Sequence, residues 1–232
     1  LIPDSVKAMA GTWGTVSDQG DLTYLNMCHL YLDGTNPDAL THGEMAGRKQ
    51  AMHAIAALQA FMPGCEDAKL RNFGMTLGIR DTRKIEAAYN LTGEDVRGEA
   101  RFDDSIGIFP EFIDGYGYLI LPTTGRYFHV PYRSMLPKGI KNLIVTGRTL
   151  GGDKVSHAAV RNMMCCAVAG QGAGVAAALA VKADRDFAET GIGAIQHELR
   201  RQGAVGRDRV VDVDADEGAV LPHAGLLSRI LL

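Results

Sequence analysis

The sequence predicts an α/β fold on three observations. Asn142–Gly147 reads NLIVTG, a short apolar run of the kind buried inside a parallel sheet. A polar loop bearing Gly151 and Gly152 follows, from Arg148 to Val155. Ser156–Lys182 then runs with no breaker other than glycines, which predicts one long helix. Strand, glycine-bearing loop and helix, in that order, form the place where open α/β sheets hold their ligands.

The upstream elements follow from local pattern. Leu22–Leu32 (LTYLNMCHLYL) is rich in apolar and aromatic residues and predicts a strand, broken by the turn sequence Asp33-Gly34-Thr35-Asn36-Pro37. Pro37–Phe61 predicts a helix with Met45, Met52, Ile55, Ala56 and Leu58 on its apolar face, and Pro63-Gly64 ends it. Leu70–Asn90 predicts two strands around the charged turn Arg80-Asp81-Thr82-Arg83. Thr92, three residues before Asp95, predicts a helix cap. Phe102–Arg133, with Gly107, Gly115, Gly117, Gly125 and many aromatics, predicts short strands and loops. After the long helix, Ile192–Gln202 predicts another, ended by Gly203. The tail is polar after Ala204 and apolar at Leu226, Leu227, Ile230, Leu231 and Leu232.

Composition narrows the function classes. The 232 residues suit one large domain or two small ones, and 46% apolar with 22% charged residues is the balance of a globular chain. A net charge of −3 provides no basic footprint for nucleic acid. Cys28, Cys65, Cys165 and Cys166 show neither CxxC nor a zinc spacing with histidine, so no metal site is expected. The 28 glycines exceed the usual roughly 7%, which points to close backbone packing or a cofactor cradle. The start at Leu1 has none of the regions of a secretion signal, so the expectation is a cytoplasmic chain that is a processed subunit or a piece of something longer.

Several motifs are near misses. Met163–Val181 is almost long enough to span a bilayer, but it is rich in alanine and glycine with Gln171 in its middle, which favours a helix inside an α/β domain. Gly170, Gly174 and Ala178 fall on one face of it, where small side chains let a neighbouring backbone approach. Gly170-Gln171-Gly172-Ala173-Gly174 has its third glycine one position early for a dinucleotide loop, and it sits within a helix. In Gly147–Lys154 (GRTLGGDK), Asp153 separates the second glycine from the lysine, unlike a phosphate loop. Asp212-Val213-Asp214-Ala215-Asp216 lacks the glycine and closing glutamate of a calcium loop. Asn90-Leu91-Thr92 is a glycosylation sequon expected to stay idle, and Cys165-Cys166 reads as buried helix surface.

Three blocks together carry a resemblance. The first is Gly78-Ile79-Arg80-Asp81-Thr82-Arg83-Lys84-Ile85 with Tyr89–Val96. The second is Val130-Pro131-Tyr132-Arg133-Ser134-Met135-Leu136-Pro137-Lys138-Gly139-Ile140, running into Asn142–Arg148. The third is Ser156-His157-Ala158-Ala159-Val160-Arg161 with Gly170–Ala178. In order and spacing, over about 77–203, they resemble the C-terminal part of the FAD-dependent oxidoreductase family. The resemblance implies the C-terminal portion of a Rossmann-like FAD-binding fold. Residues 1–140 would form a mixed α+β, substrate-facing part, 141–204 the last strand and helices of the FAD domain, and 205–232 a tail. The family's N-terminal GxGxxG and acidic ribose ligand are not in this sequence. The resemblance therefore implies a second polypeptide or a further segment carrying that motif, and no membrane or nucleic-acid partner.

Site residues follow from the same blocks. Reduced flavin carries negative charge at N1 and the C2 oxygen, which backbone N–H groups at a helix N-terminus stabilise. Ser156, His157, Ala158, Ala159 and Arg161 are expected to supply that terminus. Gly147, Arg148 and Thr149 are expected beside the ribityl and phosphate chain, where glycine permits close approach and arginine offsets charge. For the base that takes a substrate proton, His157 ranks ahead of His129, with Tyr132 third. Arg80 and Arg133, beside Arg83, are candidates for holding an anionic small-molecule substrate, against a role in structural ion pairs. A non-catalytic chain that completes a flavoprotein complex is the alternative.

Overall fold

Two compact units, Leu1–Arg83 and Lys84–Leu232, make up the chain in a computed structural model. The structure describes residues 15–16, 18–23, 25–115, 118–122 and 125–204. The acidic run from Asp212 and the apolar tail lie outside the described residues.

The first unit is organised by one helix. Thr15–Val16 (β1) and Leu22–Thr23 (β2) form a short antiparallel pair. Past it, residues 25–32 carry no strand, so the expected strand over Leu22–Leu32 is reduced to its first two residues. Asp33 folds the turn by accepting from the Thr35 backbone and hydroxyl at 2.9 and 2.7 Å. Asn36 then caps α1 (Pro37–Phe61), accepting from the Asp38 and Ala39 N–H groups, with Pro37 in the first turn, where no N–H is needed. The helix forms as predicted, but its buried stripe is Gly43, Gln50, Ala54 and Leu58. Met45 and Met52, predicted to face inward, are exposed. The reason is steric: a Cβ on Gly43 would lie 2.5 Å from the Leu32 side chain, so the tight contact selects the glycine face. Residues 70–83 contain no regular strand, against the two predicted over Leu70–Asn90. Backbone N–H of Leu77 donates to Glu44 instead.

The second unit holds the rest. Thr92 caps α2 (Gly93–Arg97) in a full capping box with Asp95, as predicted. Ser105–Pro110 (β3) pairs antiparallel with Tyr127–Pro131 (β6), with an irregular register between Ser105 and Ile108. Ile113–Gly115 (β4) and Tyr118–Ile120 (β5) form a second antiparallel pair. Helices Lys154–Val160 (α3), Met163–Ala183 (α4) and Ile192–Arg201 (α5) complete the unit. Apolar residues of all these elements, from Leu91 to Leu199, share one core.

Helices and strands are mixed, as an α/β fold requires, but two expected elements differ. Asn142–Thr146 is not a strand: Asn142 and Leu143 are exposed, and Gly147–Thr149 that follows is a 3-10 turn. Asn142 has a left-handed φ of 52°, which turns the chain out of strand geometry. Nor is Ser156–Lys182 one helix. The chain bends at Arg161–Asn162, where the Asn162 side chain donates back to the carbonyls of Ala158 and Ala159 and extended Asn162 backbone begins α4 afresh. A residue that bonds its own backbone in this way competes with helix continuation.

The compact units divide the chain between Arg83 and Lys84. Residues 84–140 share the core of 141–204, so the compact unit begins at Lys84. The backbone ties are numerous: Ile85 donates to Thr149, Leu91 to Gly151, Gly151 to Ser134 and Asp153 to Leu91.

Helix α4 is long and apolar enough to cross a membrane by length and composition, and one face of it packs on β3 and α5. That face is Cys165, Ala169, Gly172, Ala173, Ala176 and Ala180, at helical spacing. The contact is close and reciprocal. A Cβ on Gly172 would lie 2.6 Å from Ile106, and a Cβ on Gly107 would lie 2.5 Å from Val168. Gly170 and Gly174, predicted as the close-approach face, have open space at their Cβ positions.

Candidate functional site

The 3-10 turn Gly147–Thr149 packs against the start of α4 and against α3. Gly147 opens it with a φ of 77°, a left-handed conformation that suits glycine and is costly for most other residues. The turn therefore sets down Arg148 at one defined place, exposed, with no carboxylate partner among the described residues. The Gly151-Gly152 pair of the same loop has a packing cause. Their Cβ atoms would strike Ala87, Asn90 and Ser156. Asn90 of the sequon is engaged there too, accepting from the Ala87 N–H at 3.1 Å.

The first turn of α4 reaches the surface uncapped. Any α-helix begins with N–H groups that have no partner in the helix. Asn162, the cap residue, directs its amide back to α3, so no side chain caps α4. Met163 and Met164, the first two helical residues, are exposed. A 21-residue helix presents the equivalent of about half a positive charge at this end.

Two arginines flank it. Arg161, immediately before the cap residue, has a side chain only 14% exposed and pairs with Asp114 at 3.0 Å. Both charges act on the Cys166 thiol. Burial raises its pKa, while Arg148 and Arg161 pull it back. Its Sγ donates to the carbonyls of Val160 and Arg161 at 3.5 and 3.4 Å. Arg148, Arg161 and the open α4 terminus thus form one cationic surface able to hold an anion or the electron-rich edge of a ring.

The other predicted residues are distributed differently. Ser156, His157, Ala158 and Ala159 are buried in α3. The α3 terminus is already occupied by the Asp153 carboxylate, which accepts from Ser156 N at 2.7 Å and from Gly93 N at 2.9 Å. The open terminus expected there belongs to α4, one bend further on. His157 and His129 are each 1% exposed. His129 Nδ1 lies 3.1 Å from Phe102 N and 3.3 Å from the Phe102 carbonyl oxygen, so its ring is engaged with that backbone. Tyr132 is buried and donates to the Phe187 carbonyl at 3.0 Å, and burial pushes its pKa up to about 12. Arg133 forms a forked pair with Asp104, Nε to Oδ2 at 2.9 Å and Nη2 to Oδ1 at 3.3 Å. That is the ion-pair role weighed against substrate binding. Arg80 belongs to the first unit, and the cationic surface belongs to the second.

None of these residues lines either of two cavities found among the described residues. One, of about 1290 Å³, runs along the Gly43, Gly47 and Ala51 face of α1. A second, of about 740 Å³, is lined by Glu111, Arg126, Ile113 and Asp153. Two contributors were missed from sequence: Asp114 and the α4 terminus. The Asn162 that creates the terminus was the available signal, since asparagine is a frequent helix start.

Over residues 7–199 the sequence matches the family described as FAD dependent oxidoreductase, and the chain belongs to that family. The family uses FAD, so the role is that of a flavoprotein oxidoreductase. Comparison with curated proteins and with solved structures returned no match.

The cationic surface fits part of that cofactor. Open backbone donors and an exposed arginine suit the electron-rich pyrimidine edge or the phosphates. No parallel sheet with a glycine turn, the usual holder of the adenine half, occurs among the described residues.

Proposed function

We propose that this chain supplies the flavin-contacting part of an FAD-dependent oxidoreductase that moves hydride between a small-molecule substrate and the cofactor. The observation that carries the reading is the uncapped α4 terminus set between Arg148 and Arg161. Bound FAD supplies the hydride acceptor and donor. The N–H groups of Met163, Met164 and Cys165 orient it and stabilise negative charge, and Arg148 adds an exposed cation. Helix α4 then acts as an interior helix of a cytoplasmic protein, not as a membrane span. The adenine half of FAD is held by a second polypeptide or a further segment with a glycine-rich turn.

The test is Arg148→Glu. Arg148 is exposed and makes no ion pair among the described residues, so the melting temperature should be unchanged. FAD affinity, followed by flavin fluorescence with the complete complex, should fall at least about tenfold, the effect of about 1.4 kcal/mol. Unaltered affinity would remove the α4 terminus as the flavin site.

A second reading has its own support. His157, His129 and Tyr132, the base candidates, are all buried. A chain that completes the flavin site while a sister subunit supplies the base fits that burial. Anaerobic stopped-flow reduction of His157→Gln separates the two. A slowing of about a hundredfold marks a base in this chain, and a rate within a few-fold of wild type places the base elsewhere.

A further inference from the structure

We infer that Asp114 is a positioning residue that fixes the Arg161 guanidinium beside the open terminus of α4. The inference rests on the proposed flavin site for its functional meaning, but its geometry stands alone. Strand β4 is anchored on both sides of Asp114. Ile113 is fully buried in the core. Gly115 approaches α3 so closely that a Cβ on it would lie 3.2 Å from the Ala158 Cβ. Asp114 is therefore held at the bend between α3 and α4.

From there it grips Arg161 twice. Its Oδ2 accepts from Nη2 at 3.0 Å, and its backbone carbonyl accepts from the same nitrogen. Arg161 has a long, rotamer-rich side chain, and ordering such a chain carries an entropic cost of up to about 2 kcal/mol. A carboxylate and a carbonyl on a rigid strand offset that cost and choose one direction for the charge. Arg161 immediately precedes Asn162, where α4 begins, and its charge lowers the pKa of the Cys166 thiol in the first turn of that helix. Asp114 also tempers the charge it places. A guanidinium with a carboxylate at 3.0 Å projects a weaker field than a lone one.

Position and tempering give opposite signatures in two variants. Of the two grips, Asp114→Ala leaves only the backbone carbonyl on Arg161, so the guanidinium is less firmly placed and the α4 terminus loses a fixed cation. Asp114→Asn keeps an oxygen acceptor on Arg161 and removes only the negative charge, so the terminus becomes more positive.

Cys166 is the reporter, and it needs no cofactor. Alkylation by iodoacetamide proceeds through the thiolate, so its rate at fixed pH below the thiol pKa follows that pKa. Peptide mass spectrometry resolves Cys166 from the fully buried Cys165. In the full chain, Asp114→Ala should slow Cys166 alkylation about threefold, which is about half a pKa unit. Arg161→Gln should slow it alike, and Asp114→Asn should speed it. Wild-type rates in all three variants would overturn the inference. A parallel measurement is the flavin midpoint potential of the FAD-loaded complex, expected to rise in Asp114→Asn. Shifted alkylation with an unmoved potential would uphold the positioning of Arg161 and reject the flavin site at α4.

Discussion

Arg133 and Tyr132 sit next to one another in the second sequence block, and the structure gives each a different energetic task. Arg133 is half exposed and forked onto Asp104, whose carboxylate also accepts from the Arg133 N–H at 2.9 Å. Exposed pairs contribute up to about 1 kcal/mol. Arg133→Lys should therefore lower the melting temperature by about 2–4 °C and leave the Michaelis constant for substrate unchanged. A raised Michaelis constant at unchanged stability would restore Arg133 as a substrate anchor. Tyr132 holds its proton until about pH 12 because burial disfavours the phenolate. In the unfolded chain it ionises near pH 10. A folded pKa above the unfolded one stabilises the fold fully below about pH 10. That contribution is lost as pH rises toward 12. Denaturant titrations from pH 9 to 11.5 should show a falling limb that is shallower in Tyr132→Phe. At neutral pH that variant should also lose about 1 kcal/mol with the hydrogen bond to Phe187.

At the scale of elements, helix α4 separates two kinds of glycine. Gly172 faces Ile106 with no room for a methyl group, whereas Gly174 is exposed and has open space. Gly172→Ala should destabilise by about 1–3 kcal/mol through overpacking. Gly174→Ala should stabilise by about 0.5–1 kcal/mol through backbone entropy. Guanidinium unfolding of both variants checks the pair, and equal effects would contradict the assigned buried face. Sequence pattern predicted that small residues pack closely here but chose the wrong face. Gly170, Gly174 and Ala178 are as regularly spaced as Gly172 and its neighbours, and only Ile106, 66 residues upstream, breaks the tie. Local signals were legible where the cause is local. Asn36 and Thr92 cap their helices as their side chains dictate. The apolar run Asn142–Thr146 failed because apolar composition does not specify ladder partners, and Val145 finds one carbonyl, that of Met135. The bend at Asn162 was hidden because asparagine in a helical run signals a break only once its amide finds the Ala158 and Ala159 carbonyls. Of the proposed site, Gly147 and Arg148 stand in a sequence motif and could be singled out from it. Asp114 could not, since nothing in sequence ties it to a residue 47 positions away.

For the whole molecule, the balance between what is built and what the cofactor needs sets the last expectation. The described strands form three two-stranded antiparallel pairs. FAD is a long, doubly charged dinucleotide, and tight retention ordinarily draws on both halves. The flavin half meets hydrogen-bond donors and cations, and the pyrophosphate meets a glycine turn at a helix start on a parallel sheet. In the proposed site the second unit would offer the first set of contacts at α4, and none of the second occurs among its described residues. Contacts at one end alone must still meet the cost of immobilising the ligand, which is about 4–15 kcal/mol. The full 232-residue chain by itself should therefore bind FAD with a dissociation constant weaker than about 1 μM, the equivalent of about 8 kcal/mol. Flavin fluorescence titration of the purified chain measures this directly. Native mass spectrometry of the protein from its source then asks whether a second polypeptide accompanies it. Weak binding alone, with flavin retained only in the larger species, is the expected result. Sub-micromolar binding by the chain without any partner would mean that it holds the whole dinucleotide, and the proposal of a separate adenine-binding part would fall.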